Sequence, residues 1–269
     1  MQATNTYLRK VWGCRYFWLS LVGMDLRTRY RGSALGIGWS LLNPICMTTI
    51  FCVVFSAIWK ANVVDFAPYV MAGLTLWQFI STSLLQGCDC FFAGESYIRQ
   101  HPAPMAIYPL RTVLGGAFHF TMGYSLVIAI SLIFHGFGYI GMTAILSLVP
   151  AFALLLVFGW SLAALFAVAT VRFRDLRHLS EVALQALFYL TPIIYGPQQV
   201  SELLERRTVG WIFALNPFVP FLDMLRSPVC DGRAATPATF LAASLITLTC
   251  LVAAVVTLRA EEREIVFHM

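Results

Sequence analysis

The chain has 269 residues, 59% of them hydrophobic and 12% charged, and its mean hydropathy is +0.76. A soluble domain carries roughly 25% charged residues, so half that share leaves too little polar surface to be wetted, and the length prior of two soluble domains gives way to an integral membrane protein. The net charge of +5 does not indicate nucleic-acid binding, because the basic residues gather at the rims of apolar runs, where they face lipid headgroups.

Five stretches contain no Asp, Glu, Lys or Arg: 32–59, 66–88, 112–171, 182–201 and 234–258. A helix needs about 20 apolar residues to cross the hydrocarbon. The third stretch is 60 residues long and breaks at His135-Gly136-Phe137-Gly138-Tyr139, so it supplies two passes. Six transmembrane helices are predicted. The runs are continuous rather than alternating, which excludes barrel strands, and only a helix satisfies its own backbone within one segment.

Residues 1–31 form a cytoplasmic N-terminal segment with no uninterrupted apolar core, hence no cleavable signal. Within it, 7–27 reads as an amphipathic interface helix. Leu8, Val11, Trp12, Leu19, Val22 and Leu26 share one face, and Arg9, Lys10, Gly13, Ser20 and Arg27 share the other. Arg15 falls on the apolar face and must snorkel or pair. The transmembrane domain follows over 32–258, with Asn43-Pro44 inside its first span, where the proline removes one helical hydrogen bond. The connection 95–111 is polar, with a short helix at 95–100 stopped by His101-Pro102. A second polar loop runs Arg172-Phe-Arg174-Asp175-Leu-Arg-His178. Residues 196–234 form a large outer loop in which Trp211–Leu225, broken by Asn216-Pro217 and Pro220, is too short to span and reads as part of a re-entrant pair. Residues 259–269 form a tail. With the N-terminus inside, 13 of the 18 basic residues lie on the cytoplasmic side, which places both termini in the cytoplasm.

Several chemistries are missing. The two lysines, Lys10 and Lys60, do not follow glycine, so no phosphate-cradling GxxxxGK[ST] loop exists. There is no HExxH, no GxSxG and no Cys/His metal cluster. The seven cysteines are scattered, and Cys230 is alone in the outer loop, which argues against a disulfide framework. The spans hold no Asp, Glu, Lys or Arg, which argues against an ion-coupled carrier. His119 is the one ionisable side chain deep in a span, and it reads as a satisfied polar group between helices. A membrane-embedded transferase acting on lipid-linked sugars would need paired carboxylates or a His/Asp group in a cavity, and none is visible.

At the stretch Asp25-Leu-Arg-Thr-Arg-Tyr-Arg-Gly-Ser-Ala-Leu-Gly-Ile-Gly-Trp-Ser-Leu-Leu-Asn-Pro44 the chain resembles a permease of the type-2 ABC exporter family, in its polysaccharide branch of O-antigen, capsule and teichoic-acid exporters. Arg174-Asp175-Leu176 through Leu190-Thr191-Pro192-Ile193, the loop Tyr97–Leu110, and Asn216-Pro217 followed by Arg226 resemble the same branch. The chain departs from the pattern at Met24, where relatives often carry a basic residue, and at His101, where an aromatic or aliphatic residue is commoner.

The resemblance implies a bacterial inner-membrane translocase of two copies of this chain and two copies of a separate P-loop ATPase, which binds the ATP and magnesium; this chain carries no cofactor and is no enzyme alone. It implies a lipid-linked polysaccharide as cargo, most often an O-antigen on undecaprenyl diphosphate, with capsule polymer or teichoic acid as alternatives. Glu95, Ser96, Tyr97, Ile98, Arg99, Gln100 and His101 are expected to dock on the ATPase, with Arg174 and Asp175 in the neighbouring cytoplasmic loop. Arg27, Arg29 and Arg31 are expected to meet the diphosphate headgroup, because each guanidinium can donate two parallel hydrogen bonds to phosphate oxygens. Tyr189, Tyr195, Trp211 and Phe218 are expected to line the path, stacking on sugar faces.

Overall fold

A computed structural model describes residues 2–33, 35–60, 62–100, 103–195 and 215–268. All regular structure among these is helical: α1 Gln2–Gly13, α2 Arg15–Tyr30, α3 Trp39–Trp59, α4 Val63–Ala93, α5 Glu95–Gln100, α6 Ile107–His135, α7 Met142–Arg172, α8 Leu176–Leu190, α9 Val219–Cys230 and α10 Pro237–His268, with a 3₁₀ turn at Gly36–Gly38 before α3. Five of the described helices are long and apolar enough to cross a membrane: 36–58, α4, α6, α7 and 237–262. The break at 135–141 falls where the glycines require it, since Gly136 and Gly138 both adopt positive φ, 90° and 104°. Pro44 sits in the second turn of α3, which continues through it.

The bundle has a basic end and an opposite end. At the basic end the two termini meet the 104–107 turn. The Glu262 carboxylate accepts from the Tyr7 hydroxyl at 3.0 Å and from the Met105 N–H at 3.2 Å. Arg172, at the end of α7, binds Glu261 of α10 at 2.6 and 2.7 Å. At the opposite end, Gly141 donates to the Gly232 carbonyl at 3.2 Å, and His135 meets Asp65 at 3.0 Å. Gly232 has φ +63°, and a Cβ there would lie 2.3 Å from the Tyr139 carbonyl oxygen, so only glycine fits.

Helix α4 is the centre of the bundle, packed on α3, α6, α7, α8 and α9. Small residues let its neighbours approach. A Cβ on Gly87 would stand 2.6 Å from the Cα of Ala163 in α7, so the two backbones are in contact there. The core gathers Met71, Leu76, Phe79, Ile80, Phe120, Tyr124, Phe158 and Phe221, with Phe158 stacked on Phe221 at 4.4 Å.

Two expectations change. The predicted single interface helix at 7–27 is two helices joined at Cys14, and the break rotates the pattern. In α2 the residue packed inward is Leu21, while Tyr16 and Leu19 point outward, 74% and 51% exposed, as does Trp12 near the end of α1, 65% exposed. Arg15 makes no ion pair among the described residues; its guanidinium lies 4.6 Å from the Tyr16 ring centroid and 5.8 Å from that of Trp12. The expected span at 182–201 is, in the described residues, the 15-residue α8, about 22 Å long at 1.5 Å per residue and short of the roughly 30 Å hydrocarbon. It starts beside Asp89 of α4, which pairs with Arg177, and stops at Thr191-Pro192. Residues 196–214, including Trp211, lie outside the described residues.

Candidate functional site

Position along α4 serves as a depth scale. Ile193, just past α8, lies against Gly73 of α4, sixteen residues or about 24 Å from Asp89. Asn216 links that point to α9. Its amide donates to the Leu190 carbonyl at 3.2 Å and the Thr191 hydroxyl at 2.9 Å, while its side-chain oxygen accepts from the Phe218 N–H at 2.9 Å. Pro220 stands in the first turn of α9, where its missing N–H costs nothing. Helix α9 then runs from Phe218, edge-on to Trp77 at 5.5 Å, to Cys230, whose carbonyl accepts the Tyr139 hydroxyl at the opposite end. The Tyr124 and Ser131 hydroxyls hold the Leu225 and Val229 carbonyls at 2.6 Å each.

Arg226 is the buried charge that joins these pieces, 6% exposed. Its guanidinium donates to the Pro192 and Ile193 carbonyls at 2.7 Å each and to the Tyr69 carbonyl at 3.2 Å, and it lies 3.5 Å from the Tyr69 ring centroid. A buried cation survives only when its donors are satisfied. Here the acceptors include the backbone released where α8 ends at proline. The resemblance flagged Arg226, but the sequence carried no sign that its partners would be carbonyls rather than a carboxylate.

At the basic end the docking residues fall on two faces of α5. Ile98 is buried, and Tyr97 sits between Phe17 of α2, 6.2 Å ring to ring, and Arg111, 5.9 Å from its ring. Ser96, Arg99 and Gln100 are exposed, with Glu95 half-buried and paired to Arg99 at 2.7 Å. Ile98 and Tyr97 thus anchor the helix and the others form its free face. His101 lies outside the described residues. Gly94 permits the sharp entry, since a Cβ would meet the Tyr108 ring at 2.6 Å. Arg111, at the start of α6, is held by both oxygens of Asp25 of α2. Arg174 lies over the Phe92 ring at 5.7 Å, and Asp175 precedes α8 without a side-chain capping bond.

Burial and the neighbouring Glu262 carboxylate push the Tyr7 hydroxyl well above its ordinary value, so it stays a donor.

The three arginines are all exposed but not equivalent. Arg29 borders two cavities, whereas Arg27 and Arg31 line neither. The larger cavity, about 440 Å³, lies between α3, α4 and α6. At its basic mouth the Tyr30 hydroxyl and the Ser40 hydroxyl lie 3.1 and 3.0 Å from Nδ1 of His119, and they also bond each other. His119 is therefore the satisfied interhelical polar group expected of it. Of the four aromatics expected along a path, Trp211 lies outside the described residues. Tyr189 is 52% exposed and Tyr195 half-buried, but Phe218 is a core residue between Trp77 and Phe158 and lines no open surface. No cluster of three metal-ligating side chains occurs among the described residues.

Residues 16–229 match the family model described as ABC-2 type transporter. A protein of Klebsiella pneumoniae named O-antigen export system permease protein RfbA is 24% identical over 216 residues, 79% of each chain. Its namesake from Myxococcus xanthus is 26% identical over 258 residues, 95% of this chain and 96% of that one. The polysialic acid transport protein KpsM of Escherichia coli is 23% identical over 213 residues, 77% of this chain and 79% of that one.

Proposed function

The chain belongs to the ABC-2 type transporter family, and from that premise we propose that it is the membrane permease of an ATP-driven exporter of a lipid-linked polysaccharide. The observation that carries this reading is the similarity to an O-antigen export permease over 95% of the chain, on a helical bundle with no nucleotide-binding loop of its own. O-antigen on undecaprenyl diphosphate is the first cargo to test and capsule polymer the second, since a polysialic acid transport protein is also similar.

The arrangement supports a working part for each segment. The basic end faces the cytoplasm. Helix α7 finishes there and α10 begins at the opposite end, so residues 173–236 make the sixth passage. Helix α8 covers the cytoplasmic part of that passage, and α9 is the re-entrant helix that returns to the outer surface. Two copies of the chain enclose the path, with α3 free to meet its counterpart or lipid. The exposed face of α5, together with Arg174 and Asp175, receives the ATPase, and a groove that takes a short helix transmits rigid-body movement to the α4 and α6 it joins. Arg27, Arg29 and Arg31 meet the diphosphate at headgroup level.

The test is co-purification. Expressed with a P-loop ATPase from the same gene cluster, the tagged chain should retain two ATPases per two permeases, and lipid-linked polymer should stimulate hydrolysis. A chain that binds no ATPase, or an ATPase indifferent to polymer, would remove the reading.

A further inference from the structure

The sixth passage carries polar side chains on its open side. In α8, Ser180 and Leu184 are buried against the bundle, and Phe188 meets Trp77 edge-on at 5.8 Å. The opposite side, at i, i+4, i+7 and i+11, presents His178, Val182, Gln185 and Tyr189, all exposed. Helix α9 runs beside the outer half of α4, from Phe218 at Trp77 to Cys230 at the outer rim. It buries Phe221, Leu222, Met224, Leu225, Arg226 and Val229. Asp223 is the one exposed residue of that helix.

Depth makes this exposure costly. Asp223 lies seven residues, about 10 Å, below Cys230. Gln185 lies eight residues, about 12 Å, beyond Arg177, which pairs with Asp89 at the basic end. Both levels fall inside the roughly 30 Å hydrocarbon zone. Exposed hydroxyls elsewhere in the bundle are satisfied by their own helices: Thr49, Thr121 and Thr249 each donate to the carbonyl four residues back, at 2.8–2.9 Å. Gln185 and Asp223 make no hydrogen bond or ion pair among the described residues. Arg226, one turn beyond Asp223, does not pair with it. Its three nitrogens donate to the Tyr69, Pro192 and Ile193 carbonyls, so the guanidinium faces the bundle while the carboxylate faces out of it.

Hydrocarbon does not solvate a carboxylate at that depth, so this side of the sixth passage meets water. Two copies around one passage place two Asp223 carboxylates in it. Low-dielectric walls focus their field, and a like charge is repelled there more strongly than in bulk water. An uncharged sugar meets no such barrier, because its hydroxyls donate to a carboxylate and to the Gln185 carbonyl oxygen alike. We propose that Asp223 is a charge filter in the outer part of the passage, which admits an uncharged polysaccharide and rejects a polyanionic one. This rests on the exporter reading and deepens it: a neutral O-antigen chain suits the passage, and an acidic capsule polymer does not. The like charge acts as the repulsive element that selectivity needs.

The test reconstitutes the permease–ATPase complex in proteoliposomes with two probes. One is polymannose on undecaprenyl diphosphate, and the other is the same polymer with a share of its primary hydroxyls oxidised to carboxylates. The quantity read is the ATP-dependent rate at which each becomes protected inside the vesicles. The parent should carry the neutral polymer at least tenfold faster than the oxidised one. Asp223→Asn, which keeps the shape and loses the charge, should carry both at rates within about twofold. Asp223→Glu should retain the parent's preference. Equal rates in the parent overturn this inference alone, as does a preference that survives in Asp223→Asn. A complex that falls apart on size exclusion when Asp223 becomes Asn also overturns it, since the carboxylate would then be a contact between copies. If the parent moves neither polymer with ATP, the exporter reading falls and this inference with it.

Discussion

Helices α3 and α4 are both of membrane length, yet 11% of the residues in the apolar window of one are buried and 61% in that of the other. The more apolar of the two is the exposed one. In water that order would be reversed. In lipid, hydrocarbon is the solvent, so Ile45, Ile50, Val53 and Ile58 of α3 gain nothing by leaving it. Close contact is made instead where side chains are small, and α4 carries Gly73, Thr75, Ser83 and Gly87 between Met71, Leu76, Phe79 and Ile80 along its buried faces. Apolar character therefore marks where a helix crosses, and small and polar residues mark what it touches.

The largest effect that breaks this comparison is at the α4–α7 contact. Gly87→Leu has no room against the Ala163 backbone and should abolish the monodisperse, folded protein on size exclusion in detergent. Val53→Leu on α3, a site 64% exposed, should leave thermal stability within about 0.5 kcal/mol. Equal outcomes would mean α3 is as packed as α4.

Next in size is Arg226→Leu. It leaves the Pro192, Ile193 and Tyr69 carbonyls without their donor, each buried unsatisfied group costing about 1–3 kcal/mol. The melting temperature should fall sharply, with Arg226→Lys intermediate because an ammonium cannot reproduce the planar fork. A melting temperature unchanged by the leucine would show that these carbonyls find water.

A smaller effect is expected on the free face of α5. Glu95→Ala with Arg99→Ala removes an exposed i,i+4 pair worth about 0.3–0.5 kcal/mol, so thermal stability should barely move. Polymer-stimulated hydrolysis by the bound ATPase should fall several-fold. Loss of stability without loss of coupling would assign these residues to the fold instead.

The smallest concerns Tyr7. Its hydroxyl is raised above the ordinary value of 10.0 by burial and by Glu262. The sign follows: a tyrosine in the unfolded chain releases its proton above about pH 10, where the buried one cannot. The contribution of this contact is thus constant below about pH 10 and is lost as pH climbs toward the raised value. Thermal melts should show Tyr7→Phe and the parent differing by the same increment from pH 6 to 9, with the gap closing above 10. A gap that changes between pH 6 and 9 would assign the contact another titrating group.

Much of this arrangement was legible in the sequence. Charge-free runs and the Gly136/Gly138 break located α3, α4, α6, α7 and α10, because crossing lipid is a matter of composition and glycine acts locally; the short piece expected at 211–225 overlaps α9, which runs Val219–Cys230. The end of α8 was misplaced, since the apolar run continues past Thr191-Pro192 and nothing in composition says that α8 stops there to give its carbonyls to Arg226. The inward face of α2 was missed because a one-residue break at Cys14 resets the helical phase. Phe218 was assigned to a path from its position near a span end, and its burial depends on Trp77 and Phe158, which are distant in sequence. Arg27, Arg29 and Arg31 were expected at the headgroup alike, whereas it is Arg29 that borders the cavities, whose walls come from several helices.

The most direct test of the account is transport in proteoliposomes. The chain is reconstituted with its ATPase, oriented by the side from which ATP is accepted, and supplied with lipid-linked polymer and ATP. Protected polymer should accumulate in the lumen only when both subunits and ATP are present, and it should vanish when a hydrolysis-deficient ATPase is substituted. Polymer transfer that proceeds with this chain alone, or that follows an ion gradient and ignores ATP, would contradict it.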